Sequence, residues 1–591
     1  MPIHVLKEQE QLDTPLVLFE CELPTGAIER WSTHRVTVDG KTYEARVLRH
    51  NAFELKSRSE DGVDGLSRLS LTLSNVDSRF SQIERNGGWK GARLKARFAF
   101  VDLVEEVAVS EAVTLFVGIA NPPDEMTETS IRLSFTNRLS LQRLLLPEVR
   151  IQRRCPWMFP ATAEQRQVAV DGGPDGKYSF FYRCGYSPDV AGGVGNLDTN
   201  GPFTSCDYSR EQCEQRGMFR RDSAGRPTAR FGGLEFVPSD ILVRSYGEKG
   251  THLSRTVENQ ARYNDFVPII YGTAWYEPPI VFARNDGNLT RMEVLLGAGE
   301  IEGVLKVVVN DIEIPEGVAG VNMTGTGWFN IVSKGGRNGG FNLDFADSAG
   351  NPLGDPYGSM AFLSLVVPNR ISDGKSLPRV KVLLQGLKLP RFDENGNYLG
   401  ESFTNNPAWV LLDVFRRSGW RFDEIDVKSF AKTAAFCAEQ IEARDNNGNL
   451  VMIPRFQCNL VLTKRRSAAD IVRGIRVGSS LQLTFSGEGK LQLRPETTLR
   501  LQQPEKPEGS NSTEPLDGGW PAYEFGDSSS PFSGILRRGS GEPALRVWSR
   551  STADTPNRFH VEFQDEFNEY QQDSLSIVNV DDAVVANQEI S

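Results

Sequence analysis

The chain has 591 residues, a length that corresponds to about four domains of ordinary size, and a net charge of −11. This acidic balance argues against a protein that grips nucleic acid through a basic face, but it suits a surface along which DNA passes without being held. No apolar run reaches the roughly 18 residues of a membrane span, and the N-terminal residues lack the apolar core of a signal peptide. We therefore expect no stable membrane insertion.

Residues 1–150 are predicted to form a small β-barrel or β-sandwich. The dipeptide Asp39-Gly40 lies between two runs of strand-forming residues and is a strong signal for a tight hairpin. Leu69, Leu71 and Leu73 alternate with polar residues, which is typical of a strand with one buried face. A helical pattern appears in this region only at residues 139–146.

Residues 151–245 are polar and rich in glycine, and they contain four of the seven cysteines of the chain. Such a segment buries little apolar surface, so we expect it to be stapled. The cysteines, spaced C-x28-C-x21-C-x6-C, are Cys155, Cys184, Cys206 and Cys213. In the reducing cytoplasm where the chain is expected to fold, clustered cysteines favour metal ligands over disulfides.

The spacing of these cysteines does not contain the close CxxC pairs of zinc fingers. Four thiolates suit either tetrahedral zinc or a [4Fe–4S] cluster, since both prefer soft sulfur ligands. The alternative is a set of unrelated cysteines in a loop-rich segment. Aromatic residues are frequent nearby and are predicted to form an apolar shell around the site; they are Trp157, Phe159, Tyr178, Phe180, Phe181, Tyr182, Tyr186 and Tyr208.

The rest of the chain is predicted to be mainly β, with one α+β portion, so the fold class is mainly β and multidomain. We expect a β domain at residues 246–400, with a Gly-rich insertion at 316–358, and an α+β domain at residues 401–500. In the latter, Asn406 and Pro407 are typical of a helix start, and a second helix is predicted at Asp426–Arg444. After a polar linker, residues 520–591 form a C-terminal β segment.

Residue patterns of known catalytic sites are missing from this sequence. The five histidines are scattered, and neither a zinc-binding HExxH motif, a nucleophile elbow nor a phosphate loop occurs. The acidic turns that begin at Asp393 and Asp445 are interpreted as hairpin turns rather than calcium loops, because their glycine comes too early. We therefore expect no enzymatic activity.

One set of motifs resembles the C-terminal region of the lambda-type minor tail protein L. The matching residues are the run 153–159 (RRCPWMF), Cys184-Gly185-Tyr186, the pair Cys206 and Cys213, and Arg230 to Gly233. About twenty additional residues between Phe159 and Tyr182 are interpreted as a surface insertion. The resemblance covers residues 1–245 and implies a [4Fe–4S] cluster on Cys155, Cys184, Cys206 and Cys213.

A second set of motifs resembles the hub part of the lambda-type tail-tip attachment protein J, over residues 246–591. The matching stretches are 267–272 (VPIIYG), 299–303 (GEIEG) with Asn310-Asp311, 406–409 (NPAW), 454–459 (PRFQCN) and 559–563. Since this hub normally continues past the point where the sequence stops, we expect another chain to complete the C-terminal segment 520–591.

Together the two resemblances imply a structural protein of a phage tail tip, or of a tail-like particle derived from one. They imply a homotrimeric baseplate hub in the virion, assembled in the bacterial cytoplasm, that caps the tail tube, supports host attachment and opens for DNA ejection. The expected partners are the distal tail protein, the tape-measure protein and a receptor-binding fibre or central tip protein. The alternatives are an iron–sulfur redox enzyme and a tail-associated cell-wall hydrolase.

Overall fold

The computed structural model confirms a mainly β, multidomain chain. The ranges that the structure describes are 14–51, 68–137, 144–170, 173–190, 203–216, 230–246, 252–286, 289–317, 327–337, 339–342, 354–371, 376–445, 447–486, 488–508, 510–524 and 556–586. Within these ranges, every helix is too short or too polar to cross a bilayer.

The N-terminal strands form a β-barrel with a sheet extending from it. Strands β1, β2, β4, β3, β8 and β7 pair in that order, and the barrel closes because β7 also pairs with β1. The sheet continues from β7 through β9, β11 and β6 to β5. The elements are β1 (Thr14–Glu22), β2 (Ile28–Ser32), β3 (Val36–Val38), β4 (Lys41–Ala45), β5 (Val47–His50), β6 (Arg68–Ser74), α1 (Arg79–Asn86), β7 (Arg93–Asp102), β8 (Val107–Ala108), β9 (Val113–Ala120), β10 (Glu125–Met126) and β11 (Ser130–Asn137).

In this barrel domain, the structure confirms the turn and the strand that were predicted from neighbouring residues. Asp39 and Gly40 form the β3–β4 turn with φ values of 52° and 71°, which is the left-handed backbone that this dipeptide favours. Leu69, Leu71 and Leu73 are fully buried on one face of β6, as their alternation predicts. Their core also contains Trp31 and Trp89, whose rings lie 5.9 Å apart.

The cysteine segment has little regular structure. Its elements are β12 (Leu145–Leu146), α2 (Ala163–Val170), a 3₁₀ turn (Gly176–Tyr178) and α3 (Arg210–Gln215). The helical prediction for residues 139–146 is wrong at its end, because Leu145 and Leu146 pair as a strand with Ser467 and Arg466; residues 138–143 lie outside the described ranges. A hairpin of β13 (Asp240–Tyr246) and β14 (His252–Glu258) crosses the predicted boundary at residue 245.

Two sheets dominate residues 269–403. One has the order β17-β18-β22-β21, and the other runs β16-β23-β19-β20 with β24 added to β23. The strands are β15 (Ile269–Tyr271), β16 (Thr273–Tyr276), β17 (Ile280–Asp286), β18 (Leu289–Ala298), β19 (Ile301–Val309), β20 (Ile312–Ile314), β21 (Trp328–Lys334), β22 (Met360–Pro368), β23 (Val380–Phe392) and β24 (Tyr398–Phe403), with a 3₁₀ turn at Asn369–Ile371. The predicted insertion 316–358 is described only at 316–317, 327–337, 339–342 and 354–358.

Strand β22 is buried on both faces and joins two cores. Ala361, Leu363 and Leu365 face the large core that the central sheets share with the α+β portion. Met360 and Phe362 point to the other side, where they pack with residues of the cysteine segment. Because side chains alternate along a strand, one strand is shared by the two units. The cysteine segment therefore covers a face of the central sheet that would otherwise be exposed.

The α+β portion contains α4 (Pro407–Arg417), α5 (Val427–Cys437), β25 (Gln440–Arg444), β26 (Leu450–Pro454), β27 (Leu460–Leu462), β28 (Arg466–Ser467), α6 (Ala468–Gly478), β29 (Leu481–Phe485), β30 (Leu491–Pro495) and α7 (Leu499–Gln502), with a 3₁₀ turn at Phe422–Glu424. The predicted start of α4 is confirmed, since the Asn406 side chain accepts a hydrogen bond from the Ala408 backbone N–H and Pro407 follows the cap.

The predicted helix Asp426–Arg444 is wrong beyond Cys437. Residues 440–444 form strand β25, which pairs with β26 across a turn. The Asp445 carboxylate closes this turn by accepting hydrogen bonds from the backbone N–H groups of Asn447 and Asn449. A side-chain cap of this kind offers the chain an alternative to helix continuation. Asp393 closes the β23–β24 turn in the same way, so both acidic loops are hairpin turns.

The C-terminal residues form a hairpin with an exposed apolar face. Its elements are β31 (Arg558–Asp565), a 3₁₀ turn (Glu566–Asn568) and β32 (Gln571–Val578), followed by α8 (Val580–Ala586). The hairpin tip contacts the central sheets, because the Trp275 indole N–H donates to the Glu569 carbonyl at 2.7 Å and Lys306 pairs with the Glu569 carboxylate. The apolar side chains Phe559, Val561, Phe563, Leu575 and Ile577 are 42–53% exposed.

Candidate metal centre

The four cysteines of the segment come together around one cavity. Cys155, Cys184, Cys206 and Cys213 all line it, although they are distant in sequence. Its volume is about 30 Å³, more than the roughly 10–15 Å³ that one water molecule needs. Cys21, Cys437 and Cys458 are elsewhere, packed in or against apolar cores.

Backbone contacts position the first and third cysteines. The chain before Cys155 is held by the pairing of Ile151 with Asp265, and the Cys155 N–H donates to the Tyr208 carbonyl at 2.9 Å. Two further N–H groups point at sulfur: that of Gly232 lies 3.4 Å from the Cys155 Sγ, and that of Tyr208 lies 3.3 Å from the Cys206 Sγ. Donors aimed at sulfur favour the thiolate form, which is the form that binds metal.

Cys213 is presented by the short helix α3. The helix begins after Ser209, whose hydroxyl accepts a hydrogen bond from the Gln212 N–H. Arg210 in its first turn is buried and pairs with the buried Asp355 carboxylate at 3.2 Å. Asp355 also accepts from the backbone N–H groups of Glu235 and Phe236. This buried ion pair fixes the helix, and with it Cys213, to the central sheets.

The glycines of the Arg230–Gly233 motif allow the backbone to come close to the site. A Cβ atom on Gly232 would lie 2.2 Å from the Trp157 Nε1, and one on Gly233 would lie 2.2 Å from the Arg153 carbonyl oxygen. The Trp157 indole N–H in turn donates to the Gly358 carbonyl at 2.8 Å. Only glycine, which has no side chain, fits at positions 232 and 233. This close packing explains why both motif positions are glycine.

Two buried arginines line the same cavity. Arg216 and Arg230 are 6% and 3% exposed, and the Arg216 Nη1 lies 3.0 Å from the Cys206 Sγ. Arg230 donates to the Arg216 carbonyl and lies over the Tyr186 ring. Among the described residues, the Arg216 Nε and the Arg230 Nη1 are buried without a hydrogen-bond acceptor. The sequence motif indicated Arg230, whereas no sequence signal indicated Arg216.

Burial controls the ionisation of the thiols. It raises the pKa of Cys213 to about 12, and the neighbouring thiols of Cys184 and Cys206 add to the effect while the Arg230 charge opposes it. Burial, together with Cys213 and Cys184, also raises the pKa of Cys155 well above its usual value. Without another positive charge, Cys155 and Cys213 are therefore protonated at neutral pH. A metal would displace these protons on binding.

The chemistry of four cysteines suits either one zinc ion or a [4Fe–4S] cluster. Zinc with Zn–S bonds of about 2.3 Å draws four sulfurs to within about 4 Å of each other. In the described part of the chain, no three or more His, Cys, Asp or Glu side chains are grouped in a way that could hold a metal ion. The four thiols line one cavity, and a [4Fe–4S] cluster would supply sulfide acceptors for the two arginine N–H groups that are unpaired among the described residues.

The predicted aromatic shell is only half correct. Trp157, Phe159, Tyr186 and Tyr208 line the cysteine cavity. The other four aromatic residues line a separate cavity of about 1070 Å³ between the cysteine segment and the later domains; they are Tyr178, Phe180, Phe181 and Tyr182. Tyr178, Phe180 and Phe181 belong to the additional residues between Phe159 and Tyr182, and Tyr178 is directed to α4 rather than to the cysteines.

Part of the predicted surface insertion is instead an inter-domain contact. The Tyr178 hydroxyl donates to the fully buried Asp413 on α4 at 2.6 Å, and Tyr271 and Arg417 bind the same carboxylate at 2.7 Å. Arg417 also pairs with Glu148 at 3.0 Å. Burial opposes ionisation of Asp413, but Arg417 holds its pKa below the usual value. The prediction of a surface insertion is therefore wrong for residues 176–178, while Asp175 and residues 161–164 are exposed.

A further buried carboxyl group lies beneath the cysteine segment. Glu293 on β18 is fully buried and accepts a hydrogen bond from the Tyr357 hydroxyl. Burial raises the pKa of Glu293 to about 8, with a smaller contribution from Asp355. Glu293 is therefore largely protonated at neutral pH. Neither Glu293 nor Asp355 was indicated by the sequence, because each lies in an ordinary polar or strand context.

No protein-family model matches the chain, and no curated protein matches it. Among solved structures, it is similar to a chain from the virion of a native gene transfer agent (GTA) particle. The match has a TM-score of 0.33 and 12% sequence identity, and it covers 55% of this chain and 67% of that chain. A similarity at this level leaves the fold and function to be argued from the residues themselves.

Proposed function

We propose that the chain is a structural protein of the tail tip of a long-tailed phage, or of a phage-derived particle, and not an enzyme. In this proposal it forms a homotrimeric hub ring that caps the distal tail tube in the virion. The ring binds the distal tail and tape-measure proteins, anchors a receptor-binding fibre or central tip protein, and opens for DNA ejection. The order of the two sets of tail-tip motifs along the chain supports this proposal.

The observation that carries the proposal is the convergence of four distant cysteines on one cavity. Cys155, Cys184, Cys206 and Cys213 would hold a [4Fe–4S] cluster, with zinc as the alternative metal. Four protein thiolates occupy the four available iron positions, so substrate has no place to bind. The cluster would act as a staple that holds a loop-rich segment against β22 and the central sheets.

The exposed strand edges fit a ring. The β31–β32 hairpin has outer edges that are unpaired within the described residues, and its apolar face is about half exposed. A two-stranded hairpin alone is marginally stable in water, so such a face requires a cover. We propose that another tail-tip chain supplies the strands that complete residues 520–591. Closure of a ring by identical subunits would cover further edges.

The test is purification of the full chain under anaerobic conditions, followed by native mass spectrometry and activity assays. We expect trimers that bind the distal tail protein, contain iron and sulfide, and show no turnover on peptidoglycan or on redox dyes. A chain that stays monomeric and hydrolyses peptidoglycan would contradict the proposal in favour of a cell-wall hydrolase. Catalytic electron transfer to a soluble substrate would contradict it in favour of a redox enzyme.

A further inference from the structure

We propose that Arg216 and Arg230 select an iron–sulfur cluster over a single zinc ion at the four-cysteine cavity, by donating hydrogen bonds to cluster sulfur. This inference rests on the metal site of the proposed function and adds two residues to it. Both arginines are positioning residues for the cluster rather than ligands.

The first step of the argument is charge. Arg216 and Arg230 are almost completely buried, and among the described residues that line the cavity there is no Asp or Glu. Burying a guanidinium without a counter-charge is strongly unfavourable. Four thiolates around the +2 core of an oxidised cluster carry a net charge of about −2, as do four thiolates around zinc. Either the zinc site or the cluster site would therefore neutralise the charges of the two arginines. Charge accounts for the presence of buried arginines at this site, but it does not decide between zinc and a cluster.

The second step is the number of acceptors. The Arg216 Nη1 already lies 3.0 Å from the Cys206 Sγ, yet the Arg216 Nε and the Arg230 Nη1 have no acceptor among the described atoms. A zinc site contains no sulfur other than the four cysteines. A [4Fe–4S] cluster adds four inorganic sulfides, which accept hydrogen bonds and whose hydrogen bonding tunes the reduction potential. The unpaired N–H groups therefore favour the cluster.

The third step distinguishes hydrogen-bond donation to cluster sulfur from packing of the arginines against aromatic rings. The Arg216 guanidinium lies 4.5 Å from the centroid of the Phe203 ring and 4.9 Å from that of Phe159, and Arg230 lies 5.4 Å from that of Tyr186. A lysine keeps a positive charge near these rings but has no planar fork of donors. Lysine variants therefore remove the donor geometry while they keep the charge.

The experiment compares wild-type chain with the R216K, R230K and R154K variants. Arg154 is adjacent to Cys155 but is exposed and does not line the cavity, so R154K is the matched control. Each chain is reconstituted anaerobically with equal iron and zinc in the presence of sulfide. Metal and sulfide contents are measured, and the potential is determined by a redox titration followed by electron paramagnetic resonance.

We expect wild type and R154K to hold about four iron and four sulfide atoms per chain. R216K and R230K should lose at least half of the iron, take up zinc instead, and show a lower potential for the cluster that remains, because fewer hydrogen bonds stabilise its reduced, more negative form. Equal iron content and equal potential in all four chains would overturn the inference while leaving the proposed function intact. Zinc without iron in wild type would overturn both the inference and the cluster of the proposed function.

A measurement on the wild type covers the case in which the lysine variants fail to fold. Chain labelled with ¹⁵N-arginine is reconstituted, its cluster is reduced, and nitrogen coupling is measured by pulsed electron paramagnetic resonance. Coupling from arginine nitrogen supports the inference. Absence of that coupling in a sample whose cluster is fully formed would overturn it.

Discussion

The barrel domain and the cysteine segment reach a defined structure by different physical routes. In the barrel domain, six strands close into a ring, and Leu69, Leu71 and Leu73 of the attached sheet lie in an apolar core. In the cysteine segment, short elements are held by a buried arginine and by close glycine contacts, and four cysteines line one cavity. The barrel domain is therefore stabilised by its own hydrogen bonds and apolar burial, whereas the cysteine segment depends on contacts with neighbouring parts of the chain.

The largest expected effect comes from removal of one cysteine of the cavity. C213S should abolish cluster binding and cause loss of hydrogen-exchange protection across residues 151–245, while the barrel strands keep their protection. The reason is that metal binding by the four cysteines would be coupled to the folding of this loop-rich segment. Hydrogen exchange with mass spectrometry measures both regions at once.

The matched control for this variant is C458A, because Cys458 packs against the large core of the central sheets and the α+β portion and does not line the cavity. It should leave iron content and the protection of residues 151–245 unchanged. Equal protection of the segment in C213S and wild type would show that the cluster is not its staple.

A smaller effect is expected when the contact between the segment and the α+β portion is broken. D413N removes the carboxylate that binds Arg417, Tyr178 and Tyr271, and it leaves the buried Arg417 with a weaker partner. Breaking a buried ion pair costs about 3–5 kcal/mol. Denaturant unfolding should show this loss, together with faster hydrogen exchange around Tyr178. The exposed substitution D573N should cost less than about 0.5 kcal/mol, and an equally small cost for D413N would rule out this network as an inter-domain lock.

Two glycine-to-alanine substitutions, one beside the cysteine cavity and one in an open helix position, are expected to have smaller effects of opposite sign on stability. G232A would push a methyl group into Trp157, and we expect a loss of about 1–3 kcal/mol together with reduced iron content. Gly474 in α6 is a glycine with nothing within 4 Å of an added Cβ, so G474A should stabilise by about 0.5–1 kcal/mol. Thermal unfolding and iron analysis test both variants, and a neutral G232A would contradict the close packing at the motif.

A further effect depends on pH. Because the pKa of Glu293 is raised to about 8 in the folded chain, the folded state holds a proton that the unfolded state releases above about pH 4.5. The stabilising contribution of this group is complete below pH 4.5 and is lost as the pH rises to 8. The E293Q variant should therefore have a Tm a few degrees above that of wild type at pH 8, and the gap should narrow towards pH 5. A parallel pH profile for E293Q and wild type, with exposed E508Q as the control, would contradict the raised pKa.

The sequence predicts those features whose partners are near in the chain. The Asp39-Gly40 turn, the Asn406-Pro407 helix start and the alternation of Leu69 to Leu73 all depend on neighbouring residues, and all three hold. The helix predicted at Asp426–Arg444 is too long, because the turn at Asp445 pairs the preceding residues 440–444 with β26 as a hairpin.

The parts that sequence could not predict depend on distant partners. Tyr178 and Asp413 meet across 235 positions, and Arg210 meets Asp355 across 145. No local sequence pattern indicates that polar side chains so far apart in the chain are buried together. The cysteines can be selected by resemblance and Arg230 by its motif, but the approach of the cysteines to one cavity, and the position of Arg216 beside them, are visible only in the folded chain.

The most direct test of the central claim is a cryo-electron microscopy map of the intact particle at a resolution that shows side chains. The account predicts three copies of the chain around the distal end of the tail tube, each with compact density bonded to Cys155, Cys184, Cys206 and Cys213 and in contact with Arg216 and Arg230. A tail tip without this chain, or a cavity in which Cys155 turns away from the other three cysteines and no density connects them, would contradict it.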